Sequence, residues 1–340
     1  MDDIPRLVLR TYKASDHEKV DQLFYSTYFS LVPQGVKSKL KSPIFWLIWF
    51  AGYFYCMAMV HVILPMLGWP AWTYILSKLV LILAWTAISF MVVFITTDRF
   101  DMLEFVEQSR QNDLSDPEVY YLGWEKKEVE TKDDKPGKKV KFNSDVKPST
   151  EYIRKQKPES EQSPSHFWVM VYGDEIVGMV GLAHYTKTMT SNRNTPPPIW
   201  KLMLANMMKR YHIKLPKSLE NIHETGKSQI FAHANSPKDS TLTHLIVRSD
   251  MQSCGLSTLL INRVMSWANE KGLETVSAVT NEIQSDGASI LKVQHGFKLV
   301  KREKTGWLGQ KRNTWQCDVK NWIEEHPDGG KPYTKGEEKK

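Results

Sequence analysis

Gln252, Gly255 and Ser257 belong to a loop whose residue types suit the holding of a phosphate group. The loop, Gln252-Ser253-Cys254-Gly255-Leu256-Ser257, follows the apolar run His244-Leu245-Ile246-Val247. It precedes a stretch in which Leu260, Val264, Trp267 and Ala268 recur at helical spacing. A glycine at the centre lets a ligand approach the backbone, and the free N–H groups of a helix N-terminus favour an anion. The order strand, loop, helix therefore predicts a pyrophosphate site. A Gly-x-Ser turn is also an ordinary helix start with Ser257 as its cap, so the loop needs its surroundings to be interpreted.

Those surroundings read as an α/β domain with interruptions. Leu7 to Tyr12 is a plausible strand, and Ser15-Asp16 caps a helix carrying Val20, Leu23 and Phe24. Two apolar stretches follow, Ile44 to Leu67 and Ala71 to Thr97, each longer than the roughly 20 residues that cross a hydrocarbon core. The short Gly68-Trp69-Pro70 link makes them a hairpin, so both flanks lie on one side; whether the pair spans or re-enters a bilayer is open. A buried hairpin in a soluble core is the plainer alternative. Lys37, Lys39 and Lys41 before the first stretch place the flanks in the cytosol by the positive-inside rule.

From Phe100 to Leu122 the pattern is that of an amphipathic helix, with Asp113-Leu-Ser-Asp116 as a cap before Pro117. Residues 123–165, rich in Lys, Glu, Pro and Ser, read as a disordered insertion. His166 to Tyr185 gives two strands joined at Gly173-Asp174. A second insertion, 186–240, is hinged at Pro196 to Pro198. Its Trp200, Met203, Leu204, Met207, Met208 and Tyr211 share one helical face, a stripe expected to pack on its own domain or to serve as a lid or membrane-surface helix. Strands around Thr275–Thr280, Phe297–Arg302 and Thr314–Val319, with a helix from Ala288 to His295, complete the domain. Residues 323–340 read as a free tail.

With 340 residues, 41% of them hydrophobic, the chain can bury one sizeable core. The net charge of +7 comes from lysines in polar linkers and the tail, without interleaved base-stacking aromatics, which argues against nucleic acid. Three cysteines cannot make a disulfide framework. The N-terminus lacks a cleavable signal pattern, and no Asn-x-Ser/Thr acceptor with a permissive middle residue occurs, both in keeping with a cytosol-facing protein. A channel or transporter is disfavoured, because two stretches almost free of polar groups offer no pathway.

The spacing Val247-x4-Gln252-x2-Gly255-x-Ser257 resembles the coenzyme-A loop of GNAT acetyltransferases, with Ser257 a mild departure at the last position. LVLRTYKASD, the apolar hairpin, NDLSD with Tyr121-Leu122, FWVMVYGDEIVGMVG, THLIV and HGF together resemble the membrane-anchored camello-like N-acetyltransferases. The resemblance implies a mixed, twisted central sheet with flanking helices, divided by the membrane hairpin. By boundaries, 1–36, 98–122 and 166–322 form the catalytic domain and 37–97 the hairpin. It also implies acetyl-CoA as co-substrate, a small-molecule or peptide amine as acceptor, no metal, and an endoplasmic reticulum membrane with the active site facing the cytosol.

Carried onto this chain, the resemblance gives the Val247 N–H to the thioester oxygen and the amides from Ser253 to Ser257 to the pyrophosphate, with Leu245 and Ile246 beside them. His244 is the candidate base, imidazole being the side chain that changes charge near neutral pH; a core-facing histidine satisfied by hydrogen bonds is the alternative. Glu282 is the second candidate base. Asn281 would bond the pantetheine arm or merely form a turn. Where many relatives carry a tyrosine as acid for the leaving thiolate, this chain has Lys292. Lysine can donate a proton, yet the substitution keeps open a catalytically inert, CoA-binding interaction module. Acceptor identity and oligomeric state are not legible.

Overall fold

The computed structural model describes residues 6–70, 72–130, 150–194, 199–211, 213–216, 228–305, 308 and 310–327. Chain order runs β1 (Leu7–Thr11), α1 (His17–Ser30), α2 (Val32–Leu40), α3 (Pro43–Met66), α4 (Trp72–Thr96), α5 (Leu103–Gln111), α6 (Pro117–Tyr121), β2 (Trp124–Glu130) and β3 (Thr150–Gln156). It continues with β4 (His166–Tyr172), β5 (Glu175–Ala183), β6 (Met189–Asn194), α7 (Ile199–Arg210), β7 (Ser228–Ala232), β8 (Asp239–Val247) and α8 (Leu256–Glu270). The last elements are β9 (Thr275–Asn281), α9 (Ser285–Ser289), β10 (Lys298–Lys304), β11 (Lys311–Asp318) and α10 (Val319–Glu325).

Seven strands form the central sheet in the order β1-β4-β5-β8-β9-β11-β10. Every neighbouring pair is antiparallel except β8 and β9, which run parallel. The middle strands read as continuous apolar runs because both faces are covered. Along β4, Phe167 and Val169 enter one core with α1 and α6, while Trp168 and Met170 enter the other beneath α8 and α10. The period-2 alternation of a strand divides its side chains between the two layers.

α3 and α4 are long and apolar enough to cross a membrane, and their side chains are largely exposed, unlike those of a soluble core helix. They meet where Trp85 lies over Gly52, its indole N–H donating to the Trp49 carbonyl at 3.1 Å. The base of the hairpin is fixed to the domain. Gly35 of α2 packs against Thr97 and Ile283. Lys39 is buried and pairs with Asp101 at 2.5 Å, and Gln310, from the β10–β11 connection, donates to the same carboxylate at 3.2 Å.

Several sequence expectations change. The helix expected through Leu122 stops at Gln111, after a π turn over Thr97–Met102, and Asn112 to Ser115 form a turn. The ends of the expected disordered insertion, β2 and β3, pair as a two-stranded antiparallel ribbon. Its register sets Glu125 opposite Lys155, and Lys126 and Arg154 bond Asp116 of the neighbouring turn. The two strands are rich in charged residues and lack apolar alternation, which hid the ribbon from a hydrophobic reading. Residues 131–149 lie outside the described residues, as does the Pro196–Pro198 hinge.

β6 and β7 pair within the second insertion. Of the α7 stripe, Leu204, Met207 and Tyr211 are exposed; among the described side chains of this helix only Ala205 is buried, with Met208 and Leu215 beside it. The side chains of Trp200 and Met203 lie outside the described residues. The tail begins later than residue 323, because α10 extends to Glu325 and buries Trp322 against the sheet.

Candidate functional site

β8 and β9 pair only from Asp239↔Thr275 to Leu242↔Ala278. Beyond Leu242 the two parallel strands have no paired residues, and the sheet opens between Thr243–Val247 and Val279–Asn281. The opening coincides with an irregularity on the other side of β8, where the register against β5 shifts between Met179 and Gly181. His244 sits at this bulge with φ +49°. A non-glycine residue in the left-handed region is strained and needs its surroundings to hold it. Among the described residues the only other non-glycine with positive φ is Ser253, at +65°, in the loop that follows.

Asp113 fixes the His244 ring. Its Oδ2 lies 2.5 Å from His244 Nε2 and also accepts the Tyr121 hydroxyl at 2.5 Å. The Tyr121 oxygen is in turn 3.0 Å from Thr243 Oγ1. A carboxylate can only accept here, so Nε2 carries the proton and Nδ1 keeps its lone pair. Both side chains are buried, His244 to 7% exposure and Asp113 to 1%. Phe24 of α1 meets the imidazole edge-on at 5.3 Å between centroids. Burial pushes the Tyr121 phenol well above its ordinary pKa, and the Asp113 charge pushes the same way, so Tyr121 remains a donor. Burial raises Tyr28 and Tyr185 likewise.

The sequence reading missed Asp113 and Tyr121 as site residues. It took Asp113 for a helix cap, whereas its carboxylate turns inward to two donors. Pro117 starts α6 with Asp116 at the cap position, but Asp116 makes no capping bond and serves Lys126 and Arg154 instead. A signal was present: Asp113 and Tyr121 are eight residues apart across a turn-forming Asn-Asp and a helix start, which returns both side chains to one place.

The loop after β8 turns sharply. Gly255 has φ +77°, and a Cβ built there meets no atom within 4 Å, so the space before the loop is open. Gly255, not Ser257, is the N-cap residue of α8, without a side-chain cap; Ser257 lies in the first turn. The first-turn N–H groups of a helix have no intrahelical acceptor, and the positive φ of Ser253 and Gly255 bends the backbone sharply just before them. Gln252 does not face the opening freely, since its amide donates to the Val247 carbonyl at 3.3 Å and braces the loop against the strand end. Cys254 is exposed, and Leu256 anchors the loop in the core. Leu245 packs at the margin of the core under α8, while Ile246 is buried on the α1 side.

The remaining candidates diverge. Asn281 caps a turn, its side-chain oxygen accepting from the N–H groups of Ile283 and Gln284 at 3.2 and 3.1 Å. Glu282 accepts the Lys311 N–H at 2.9 Å, a structural bond that holds the β11 end. Lys292 is exposed on the π turn Ile290–Gln294. Among the described residues no cluster of three His, Cys, Asp or Glu could hold a metal ion.

Comparison with known proteins gives one family match and several solved structures of similar type. The family model described as Acetyltransferase (GNAT) family matches residues 138–288, less than half of the chain. No curated protein sequence matches. Among solved structures, a GNAT-family acetyltransferase from Staphylococcus aureus Mu50 aligns at 10% identity over 92% of this chain and 99% of its own, with a TM-score of 0.38. An acetyl-coenzyme-A complex from Bacillus anthracis str. Ames aligns at 12% identity over 57% of this chain and 97% of its own, TM-score 0.29. The ribosomal-protein-S18-alanine N-acetyltransferase of Escherichia coli aligns at 9% identity over 47% and 72%, TM-score 0.27. With a mixed sheet that splays at its parallel pair, a glycine-centred loop after the splayed strand and a match to the GNAT acetyltransferase family model spanning both, the chain has the GNAT fold.

Proposed function

We propose that the chain is a membrane-anchored N-acetyltransferase that moves an acetyl group from acetyl-CoA to a primary amine in a ternary complex. The observation that carries this reading is His244, held at a strained bulge where β8 and β9 part, with Asp113 fixing its tautomer. The opening admits the thioester end of a long donor between the strands. The loop from Ser253 to Ser257 offers N–H groups to the donor's pyrophosphate, and the Val247 N–H is assigned to the carbonyl oxygen.

In the transfer a nitrogen–carbon bond forms at the thioester carbonyl and the carbon–sulfur bond breaks. His244 Nδ1 takes the proton lost by the attacking amine, and Lys292 supplies one to the departing thiolate. Asn281 and Glu282 act by shaping the strand end rather than by touching the reacting atoms, given the bonds they already make. The acceptor is an amino acid derivative, such as a cysteine S-conjugate, or a lysine side chain. α3 and α4 hold the enzyme in a bilayer, in our reading that of the endoplasmic reticulum, with Lys37, Lys39 and Lys41 on the cytosolic side.

The test is release of CoA thiol by detergent-solubilised protein given acetyl-CoA and a panel of S-substituted cysteines, aspartate and lysine peptides. His244→Ala should slow release by on the order of 10²–10⁴-fold while leaving CoA binding intact. CoA binding without release for any amine would favour the inert interaction module, the reading to which the exposed Lys292 in the acid's place points.

A further inference from the structure

We infer that Asp113 is a positioning residue for the transfer reaction and that Asp113, His244 and Tyr121 work as one unit. This inference rests on the reading of His244 as the base. Asp113 stands 131 residues before His244 in the chain, in the turn between α5 and α6, and its bond to Nε2 is the one polar contact of the imidazole among the described residues. By accepting at Nε2 it leaves the lone pair on Nδ1, and it stabilises the imidazolium formed when Nδ1 takes a proton.

Two features distinguish this arrangement from a packing motif. Asp113 Oδ1 is buried and has no hydrogen-bond partner among the described residues, an exception to the rule that buried polar atoms are paired. A carboxylate kept under-satisfied holds its charge available to the imidazole. The His244 backbone is also strained, and such strain persists where surrounding contacts over-determine a residue's position. Tyr121 supplies part of that determination, because its hydroxyl bridges Asp113 and Thr243, the residue before His244. The titratable groups around this carboxylate are His244, Tyr28 from α1, Tyr120 and Tyr121 from α6, and Tyr185 after β5. The phenols stay neutral across the working range, so the Asp113 charge acts chiefly on His244.

The experiment measures kcat, KM for acetyl-CoA and the pH profile of kcat/KM for the parent, Asp113→Asn, Tyr121→Phe, His244→Ala and the Asp113→Asn/His244→Ala double variant. Asp113→Asn should lower kcat by on the order of 10²-fold or more with KM for acetyl-CoA unchanged. The double variant should be no slower than His244→Ala, because members of one unit are not additive. Tyr121→Phe removes only a donor to the carboxylate and leaves its charge. Its acidic limb should move to higher pH by roughly one unit at most, and that of Asp113→Asn to lower pH. Opposite movements are a signature that loosened packing would not give. If Asp113→Asn fails to fold, the Tyr121→Phe profile decides, and an unmoved limb overturns the inference. Parent-like kcat in Asp113→Asn with a slow His244→Ala overturns the inference alone; full rate in His244→Ala overturns the reading of the base beneath it.

Discussion

Gly255→Ala and Gly272→Ala form a matched pair that separates backbone strain from loss of a phosphate cradle. The two glycines flank the same helix, α8, and hold φ of +77° and +69°. A Cβ on either meets no heavy atom within 4 Å, so neither substitution clashes within the protein. Gly272 ends the helix in a Schellman motif, with Leu273 N–H on the Ala268 carbonyl at 2.9 Å and Gly272 N–H on Asn269 at 3.0 Å. An L-residue in the left-handed region costs about 1–2 kcal/mol, and that cost applies equally at both ends. Each variant should therefore lose a few degrees in Tm, about 2–4 °C per kcal/mol for a domain of this size. Only the methyl at position 255 stands where the donor's phosphates must approach. Gly255→Ala is expected to weaken CoA binding tenfold or more, about 1.4 kcal/mol per factor of ten, and Gly272→Ala to leave it unchanged. Calorimetric titration of CoA into detergent-solubilised protein, beside thermal unfolding of both variants, reads the two effects separately. Equal Tm losses with CoA affinity retained in Gly255→Ala would refute the assignment of the loop to phosphate.

Two further outcomes follow from the packing. Lys39→Met leaves the Asp101 carboxylate without its cation at the hairpin base; with Asp101 a quarter exposed, the loss should be about 2–3 kcal/mol, at or below the range for a broken buried pair. Lys39→Met combined with Asp101→Leu should recover most of it, and a double variant as unstable as the single one would show that the pair is not the cause. His295 is buried between Trp322 and His326, at ring-centroid distances of 6.0 and 5.9 Å, and burial, aided by His326, lowers its pKa from 6.5 to about 4. Below pH 6.5 the unfolded chain takes up a proton that the folded protein refuses, so stability falls as pH drops from 6.5 to about 4, by roughly 3 kcal/mol at most at ~1.36 kcal/mol per pH unit. His295→Phe should flatten that acid limb in Tm measured from pH 7 to 4; parallel curves for variant and parent would count against His295 as its source.

The elements whose hydrophobic pattern is local were legible without the structure. β4 and β5 with their Gly173-Asp174 turn, α8 after the loop, and the two apolar helices fall within a residue or two of their expected limits, because each carries its own period or run length. The β2–β3 ribbon was not legible, since its strands are rich in charged residues without apolar alternation and are separated by 19 undescribed residues, 131–149. The α7 stripe has a clear period, yet periodicity states only which face is apolar and not what covers it.

The site divides along the same line. Residue types and spacing by themselves determined that a glycine-centred loop stands between a strand and a helix, and that His244 lies three residues before Val247, the last residue of that strand. The tertiary structure decided which polar groups reach one another. Asp113 looked like a cap because a cap is the commonest local use of an aspartate before a helix. Folding placed it beside a histidine 131 residues further on, where two donors replace the water lost on burial. Asn281 and Glu282 went the opposite way, from candidate chemistry to turn and strand-end bonds, because backbone N–H groups at those ends also had to be satisfied. Sequence fixes what each residue can donate or accept; which partner it meets depends on long-range strand order and on burial, and neither is a local property.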